Sequence, residues 1–179
     1  LRPLTLKQPK CLISIAGEPL LGRWLRILER SGVNKVLINT HYLSSQVEKF
    51  VDIYKKKSNL IIETVFETKL YGTAGTLMKN KSFFNNSIGI LIHADNMCDI
   101  DIPTLLKAHK KRKKECLITM VTFNTDTPES CGIVETDSNG IVREFHEKTS
   151  LFKGYKANGA IYVFEQSLLD FLENKSKEI

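Results

Sequence analysis

Three charged side chains lie next to predicted strand ends, where a folded scaffold can hold a side chain against a ligand. Lys10 precedes an apolar run, Asp95 follows one, and Lys148 comes directly after Glu147 at the end of a predicted hairpin. A lysine ammonium offsets the charge of a phosphate group, and a carboxylate is an oxygen ligand for Mg²⁺, which usually keeps waters and phosphate oxygens as well. Together these residue types suit a phosphate and metal site. Taken singly, each also fits an ordinary role: a surface lysine, a loop-capping aspartate or a surface Glu-Lys pair.

A short glycine-rich segment, Gly72-Thr73-Ala74-Gly75, follows the predicted strand 60–66. Small residues at a strand-to-helix turn let the backbone approach a flat ligand, and the first N–H groups of a helix can donate hydrogen bonds to it. The segment therefore indicates a nucleotide-binding turn. The alternative is an ordinary glycine turn in which Thr73 caps the helix.

Apolar periodicity predicts the elements that would position these residues. Strands are predicted at 11–15, 35–39, 60–66, 87–93 and 116–123, with helices at 19–31, from a serine cap at 44 or 45 to near 57, and from 102. This alternation predicts an α/β fold with a Rossmann-like mixed, mostly parallel sheet flanked by helices. Beyond residue 123 the pattern is strand-rich: a hairpin with an Asn139-Gly140 turn, a strand at 153–164 and a helix from 167.

Composition limits the classes of protein that fit. A chain of 179 residues with 42% apolar and 26% charged residues is ordinary for one globular domain. No apolar run approaches the ~20 residues of a membrane helix, and no signal-peptide apolar region opens the chain. The net charge of +6 fits a phosphate-rich partner, either a nucleotide or a nucleic acid. The four cysteines form no CxxC pair, which argues against a zinc site or a disulfide framework and for the reducing cytoplasm.

A basic run at 107–114 is the feature most typical of a nucleic-acid binder. It lacks interleaved aromatic residues and any RNA-binding or recognition-helix motif. We therefore predict a solvated helix end with cations near its C-terminus, and no nucleic-acid partner. An α/β dehydrogenase is disfavoured too, because no G-x-G-x-x-G follows a first strand.

Two segments carry a family resemblance. Residues 1–20 follow the pattern LRPLT-x-x-x-PK-x-L-x-x-x-x-G-x-PL, and residues 72–75 read GTAG. They resemble the opening signature and the second nucleotide-binding segment of the sugar-nucleotide pyrophosphorylases, which join a sugar 1-phosphate to a nucleoside triphosphate. In that family a first strand and a glycine-rich loop ending in Gly-Thr-Arg precede the signature, and the chain continues beyond the present C-terminus. The resemblance implies a single nucleotidyltransferase domain truncated at both ends, with a nucleotide-binding half at 1–115 and a sugar-phosphate-binding half at 116–179.

Further motifs of the family follow in the same order. Asp95 matches the metal-binding aspartate of a strand-end Gly-Asp motif, with Ala94 where glycine is common, and Gly132 matches a sugar-contacting glycine. Residues 147–149 match a Glu-Lys-Pro motif with threonine in place of proline, and residues 158–159 match an asparagine-containing strand. The resemblance implies catalytic roles for Lys10, Asp95 and Lys148; nucleotide contacts for Arg2, Lys10, Gly72, Thr73 and Gly75; sugar-phosphate contacts for Gly132, Glu147, Lys148 and Asn158; and Mg²⁺ at Asp95.

The implied reaction is nucleotidyl transfer, in which a sugar-phosphate oxygen attacks the α-phosphorus of the triphosphate and pyrophosphate leaves. Residues 39–43, NTHYL, and residues 93–101, HADNMCDID, resemble the mannose- or heptose-1-phosphate guanylyltransferase branch, so GTP is the favoured nucleotide. The alternative is a catalytically inactive domain that binds a sugar phosphate or nucleotide in a regulatory role. With the glycine-rich loop and a second metal-binding aspartate not matched, we expect the 179-residue chain alone to be impaired. The sequence leaves the oligomeric state open, with a homo-oligomer as one option.

Overall fold

The computed structural model describes residues 1–147 and 154–176. The helices are α1 Leu20–Arg30, α2 Ser44–Lys55, α3 Gly72–Lys79, α4 Ile102–Lys110 and α5 Gln166–Ser176. The strands are β1 Ser14–Ile15, β2 Glu18–Pro19, β3 Lys35–Thr40, β4 Ile61–Phe66, β5 Gly89–Ile92, β6 Ile118–Asn124, β7 Gly132–Thr136, β8 Val142–Glu147 and β9 Lys156–Phe164. None of the described helices is both long enough and apolar enough to cross a membrane.

The chain forms two compact units. The first, unit 1, contains Leu1–Asn85, Ala94–Leu105 and the described part of Leu169–Ile179. Its parallel pair β3–β4 runs from Lys35 opposite Ile61 to Thr40 opposite Phe66. Helices α1 and α2 bury apolar stripes against this pair, because their apolar residues recur with helical spacing. The core consists of Leu12, Leu21, Leu25, Ile38, Val47, Val51, Leu60 and Ile62.

The opening of the chain is not a strand. The strand or extended segment predicted at 11–15 is only partly correct: Lys10–Leu12 is one turn of 3₁₀ helix, Ile13 is extended, and the strand itself is limited to Ser14–Ile15. The turn closes through hydrogen bonds from the Leu12 N–H to Pro9 and from the Ile13 N–H to Lys10. Burying Leu12 in the core of unit 1 favours this turn, whereas Ile15 stays 41% exposed.

The second, unit 2, contains Asn86–His93 and the described part of Leu106–Leu168. Its five-stranded sheet has the order β5-β9-β7-β8, with β6 also paired to β9. Every pair in this sheet is antiparallel, and β9 is the central strand. The β7–β8 hairpin closes as predicted around residues 137–140, where Gly140 has φ +76° and the Asp137 carboxylate accepts the N–H groups of Asn139 and Ile141.

The mixed α/β architecture is confirmed, while its pairing differs from the expected pattern. Among the described strands, only β3 and β4 pair in parallel, so the sheet is not mostly parallel. The physical reason is the direction of β9. This strand runs antiparallel to β5 and β6, and it also pairs with β7 of the β7–β8 hairpin. Local periodicity reports that a strand is buried and does not report its direction relative to partners far away in sequence.

Two local features of the helices also differ from expectation. Leu43, in the left-handed region at φ 50°, precedes α2, and no serine side chain caps the helix. In the basic stretch, His109 is fully buried and Arg112 pairs with Glu165 at 2.9 Å, so this part is not simply a solvated helix end. The lysines around them remain exposed, as predicted.

Candidate nucleotide and sugar-phosphate sites

Lys10 and Asp95 are far apart in sequence and adjacent in unit 1. The Lys10 Nζ lies 3.8 Å from Asp95 Oδ2, and the two side chains are 59% and 41% exposed. An ion pair this exposed contributes little stability, so its importance is positional: an ammonium and a carboxylate reach the same patch of surface. The arrangement offers a cation suited to phosphate and an oxygen ligand suited to a metal ion.

The core of unit 1 holds both residues in place. Leu12 is buried two residues after Lys10, and Ala94 packs against the same core directly before Asp95. Cys11, between Lys10 and Leu12, is partly buried, and burial raises the pKa of its thiol to about 11. The thiol therefore stays protonated at neutral pH, which makes it a poor nucleophile.

Helix α1 anchors the loop that carries Asp95. The Trp24 indole N–H donates to the Asn96 carbonyl at 2.9 Å, and the Arg23 guanidinium pairs with Asp99. Trp24 itself is 3% exposed. Because both anchors come from one helix, the carboxylate sits on a supported loop rather than on a free one.

The glycine segment forms the start of α3. Gly72 is its first residue and has φ +71°, a conformation that a side chain would strain. A Cβ on Gly75 would lie 2.9 Å from Tyr71 Cβ, so this position also favours glycine. Thr73 is exposed within the helix, and no side chain caps the N-terminus at Tyr71. The alternative of a turn capped by Thr73 is therefore wrong.

The N-terminal residues lie against the NTHYL segment. The Tyr42 hydroxyl lies 3.1 Å from the carbonyl oxygens of both Thr5 and Leu6, and Gln46 donates to the Lys7 carbonyl at 3.0 Å. Arg2 is exposed, and its side chain makes no hydrogen bond or ion pair with the residues that the structure describes. Its predicted nucleotide contact stays a prediction.

In unit 2, the hairpin brings Gly132 and Glu147 directly opposite each other. A Cβ on Gly132 would lie 2.6 Å from Phe145 Cζ and 3.2 Å from Glu147 Oε2. The Phe145 ring and the Glu147 carboxylate thus pack against Gly132, and a side chain there would displace them. Lys148, the next predicted site residue, lies outside the described residues.

Asn158 stands at an irregularity of β9. The pairing with β6 shifts register between Met120 and Thr122, and Ala160 takes φ 52°. The Asn158 Oδ1 accepts the Ala160 N–H at 2.9 Å, while its Nδ2 donates to the Tyr162 hydroxyl at 2.6 Å. These bonds fix the amide and leave one lone pair and one N–H for a ligand. A bulge that re-aims one side chain is common beside functional sites.

A separate cluster of two glutamates and one histidine lies on the β7–β8 hairpin. Ligand atoms of Glu135, Glu144 and His146 lie within 4.8 Å of one another and could hold a metal ion. His146 Nε2 is 2.8 Å from Glu135 Oε1 and 3.5 Å from Glu144 Oε2, so the histidine already pairs with both carboxylates. The sequence reasoning did not single out this set, because its members are spread over two strands.

The sequence reasoning also missed three supporting residues. These residues are Trp24, Glu67 and Tyr162. Each makes a polar contact to a predicted site segment or its neighbour. A lone tryptophan on the apolar face of a helix was the one available signal, since its N–H needs a partner when buried.

Comparison with known proteins identifies the family of the chain. The sequence profile of the Nucleotidyl transferase family matches residues 1–179. The catalytic subunit beta of mannose-1-phosphate guanylyltransferase from Drosophila melanogaster is 35% identical over 183 residues, which cover 100% of this chain and 48% of that protein. The corresponding subunit from Dictyostelium discoideum is 31% identical over 181 residues and is 50% covered.

A solved structure shows the same fold. HddC from Yersinia pseudotuberculosis, complexed with GMP-PN, superposes with a TM-score of 0.75 at 19% identity, covering 94% of this chain and 72% of that one. The chain spans about half the length of the curated relatives it matches. With a family profile that matches over its whole length, the chain belongs to the nucleotidyl transferase family.

Proposed function

We propose that the protein condenses a sugar 1-phosphate with a nucleoside triphosphate to give a nucleotide sugar and pyrophosphate. The observation that carries this proposal is the convergence of Lys10 and Asp95, whose charged atoms lie 3.8 Å apart. In the transfer, a sugar-phosphate oxygen bonds to the α-phosphorus, and the bond to the bridging oxygen of the leaving pyrophosphate breaks. This chemistry needs positioned substrates and cations on the phosphates more than it needs an acid or base.

On the nucleotide side, Lys10 contacts the triphosphate and offsets its negative charge. Gly72, Thr73 and Gly75 seat the nucleoside against the exposed start of α3, where helix N–H groups are available. Arg2 adds a further cation toward the phosphates. The positive φ of Gly72 and the close approach of Tyr71 to Gly75 support this role, because both features keep positions 72 and 75 free of side chains.

The residues present fit a Mg²⁺ ion. Asp95 offers one exposed carboxylate beside a lysine that suits phosphate, and Mg²⁺ characteristically combines one or two carboxylates with phosphate oxygens and water. When bound, the ion would neutralise charge on the triphosphate and its leaving group. Asp95 is the residue that we assign to it, and Glu135, Glu144 and His146 have no part in this assignment.

On the sugar-phosphate side, Glu147 and Asn158 hydrogen-bond sugar hydroxyls and Lys148 orients the attacking phosphate. Gly132 contributes by its lack of a side chain, because a Cβ there would collide with Phe145 and press on the Glu147 carboxylate. The fixed amide of Asn158 supports the role of an orienting residue, because both of its ends are already held in one rotamer.

We further propose GTP as the nucleotide and a mannose- or heptose-like sugar 1-phosphate as the acceptor. The curated relatives named above are mannose-1-phosphate guanylyltransferases. Four unpaired cysteines support activity in the reducing cytoplasm. Assembly into a homo-oligomer remains a proposal that a light-scattering measurement of the purified protein would test.

The test uses protein expressed from the complete reading frame, with pyrophosphate release measured from mannose 1-phosphate, a heptose 1-phosphate and a panel of triphosphates. We expect release to require Mg²⁺ and to be fastest with GTP. A strong preference for dTTP or UTP would remove the guanylyl assignment. Tight binding of GTP or sugar phosphate without turnover would instead favour a regulatory binding domain.

A further inference from the structure

The opening segment of unit 1, residues 1–8, has no apolar anchor of its own. None of these residues, all within the described part of the chain, is buried, and the three leucines among them are from 58% to 74% exposed. Pro9 is the first buried residue. Hydrophobic burial therefore does not hold this segment on the core. Other contacts must position it if the proposed phosphate cations Arg2 and Lys10, near its two ends, are to meet one triphosphate.

Polar contacts attach the opening segment to the region after β3. The N–H groups of Thr5, Leu6 and Lys7 donate to carbonyl oxygens three or four residues earlier, which closes local turns only. The carbonyl oxygens of the same three residues are engaged from elsewhere. The Tyr42 hydroxyl lies 3.1 Å from those of Thr5 and Leu6, and the Gln46 Nε2 donates to that of Lys7 at 3.0 Å. Two side chains, which we call the 42/46 clamp, thus hold three consecutive carbonyls.

The backbone between the two clamp residues is strained. Leu43 has φ 50° and ψ 41°, the left-handed region in which the Cβ of a leucine is crowded. The Gln46 N–H donates to the Leu43 carbonyl at 3.0 Å, which ties this residue to the first turn of α2. Strained residues persist where the surrounding structure requires them, and they concentrate at functional sites. Here the strained turn between β3 and α2 brings Tyr42 and Gln46 to the same short segment.

The 42/46 clamp holds the chain between the two proposed phosphate cations. Residues 5–7 begin three residues after Arg2 and end three residues before Lys10. Lys10 has a second support, because Leu12 in the same turn is buried in the core of unit 1. Arg2 lies among exposed residues. Its position relative to Lys10 therefore depends on the clamp.

We propose that Tyr42 and Gln46 are positioning residues for the triphosphate, which fix the opening segment by donating hydrogen bonds to three of its carbonyls. This inference rests on the proposed function. It adds that triphosphate affinity depends on two side chains that bind the protein backbone and do not touch the nucleotide. The single proton of the Tyr42 hydroxyl is shared between two carbonyls, which leaves no donor for a ligand.

The test deletes the two donors in the full-length protein. Tyr42→Phe removes only the hydroxyl, and Gln46→Met removes the amide while keeping the length of the side chain. We expect each to raise the KM for the triphosphate, and the Kd of Mg·GTP measured by calorimetry, about fivefold, and the double variant to raise both about tenfold. The control Tyr54→Phe, which removes a hydroxyl from α2, should stay within about twofold, and the KM for sugar 1-phosphate should not change in any variant.

Hydrogen exchange in the absence of nucleotide tests whether the effect acts through the opening segment. In Tyr42→Phe and Gln46→Met, we expect the amides of residues 5–7 to exchange about fivefold faster than in wild type, because a released segment opens its local turns more often. The amides of β3 should exchange at the wild-type rate. A raised triphosphate KM with unchanged exchange would mean that the two side chains contact the nucleotide themselves, and would overturn the inference.

A merely structural role would give a different pattern. It would lower the melting temperature while leaving the triphosphate KM of the surviving enzyme unchanged, and that result would overturn the inference. An equal rise of KM in Tyr54→Phe would also overturn it, because the position of the lost hydroxyl would then not matter. If wild-type protein turns over and both clamp variants bind Mg·GTP normally, only the positioning role is overturned; if wild-type protein neither binds nor turns over any triphosphate, the proposed function and this inference are both overturned.

Discussion

The two units build their sites in different ways. In unit 1, Lys10 and Asp95 come from a 3₁₀ turn and a loop, and side chains of α1 hold that loop. In unit 2, Gly132 and Glu147 are cross-strand neighbours of one hairpin, and Asn158 is fixed by its own strand. The proposed nucleotide site therefore depends on tertiary supports, while the proposed sugar-phosphate site depends on sheet register. Substitutions away from the ligand should matter more in unit 1 than in unit 2.

The largest effect should come from Asp95→Asn. Removing the carboxylate charge removes the proposed metal ligand, and we expect kcat/KM for pyrophosphate release to fall by at least about 100-fold. The control is Asp52→Asn, an exposed position on α2, which should keep wild-type kinetics. Activity of Asp95→Asn within a few-fold of wild type would separate this residue from the chemistry.

Two glycine substitutions in unit 2 separate the effect of a steric contact from the effect of a strained backbone conformation. Gly132→Ala places a Cβ against Phe145 and Glu147, so we expect the KM for sugar 1-phosphate to rise about tenfold. Gly140→Ala meets no atom within 4 Å but has φ +76°, so it should lower stability by about 1 kcal/mol with KM unchanged. Chemical denaturation and steady-state kinetics distinguish the two, and a reversed pattern would contradict the assignment of Gly132.

A smaller effect is expected from Trp24→Phe. The substitution keeps most of the buried ring and deletes the N–H that donates to Asn96, so the loop of Asp95 loses one anchor. Losing one neutral hydrogen bond should raise the Mg²⁺ concentration for half-maximal activity about fivefold. If Trp24→Phe alters thermal stability alone, the loop does not need this anchor for metal binding.

The smallest effect concerns pH and stability in unit 2. Burial and the neighbouring Arg112 lower the pKa of His109 below its ordinary 6.5, although Glu165 acts in the opposite direction. Thr119 also faces this ring, with its hydroxyl 2.8 Å from Nδ1. Since the unfolded state then binds the proton more readily, stability should fall as the pH drops through about 6.5.

Denaturant unfolding of wild type and His109→Gln between about pH 7.5 and 5.5 measures this contribution. We expect the variant to show a shallower loss of stability over that range. Equal slopes would show that the histidine does not titrate differently in the folded and unfolded protein.

The sequence predicted the local elements of both units well. Helix α1 and strands β3 and β4 follow directly from apolar periodicity, and the Asp137–Gly140 turn follows from its residue types. Residues 11–15 were predicted only partly correctly because one apolar run fits a strand and also fits a turn that buries Leu12. The sequence does not predict the direction of β9, since this direction depends on partner strands that are distant in sequence.

The sites show the same division between local and tertiary information. The separate roles of Lys10 and Asp95 came from a family resemblance, but no spacing in the sequence indicates that their charged atoms meet. The burial of Glu67 could not be predicted from the sequence for a related reason. A carboxylate at a strand end is normally exposed, and only the fold shows that its partners bury it. Asn158 was predicted, whereas the bulge and the Tyr162 hydroxyl that hold it were not.

The central claim is that Lys10 and Asp95 act together on one triphosphate, and a double-mutant cycle tests it most directly. We would measure kcat/KM for GTP with wild type, Lys10→Met, Asp95→Asn and the double variant of the full-length protein. If both residues serve one site, the double variant should lose much less than the product of the two single losses. Fully multiplicative losses would mean that the two residues act independently, and would contradict a nucleotide site shared by Lys10 and Asp95.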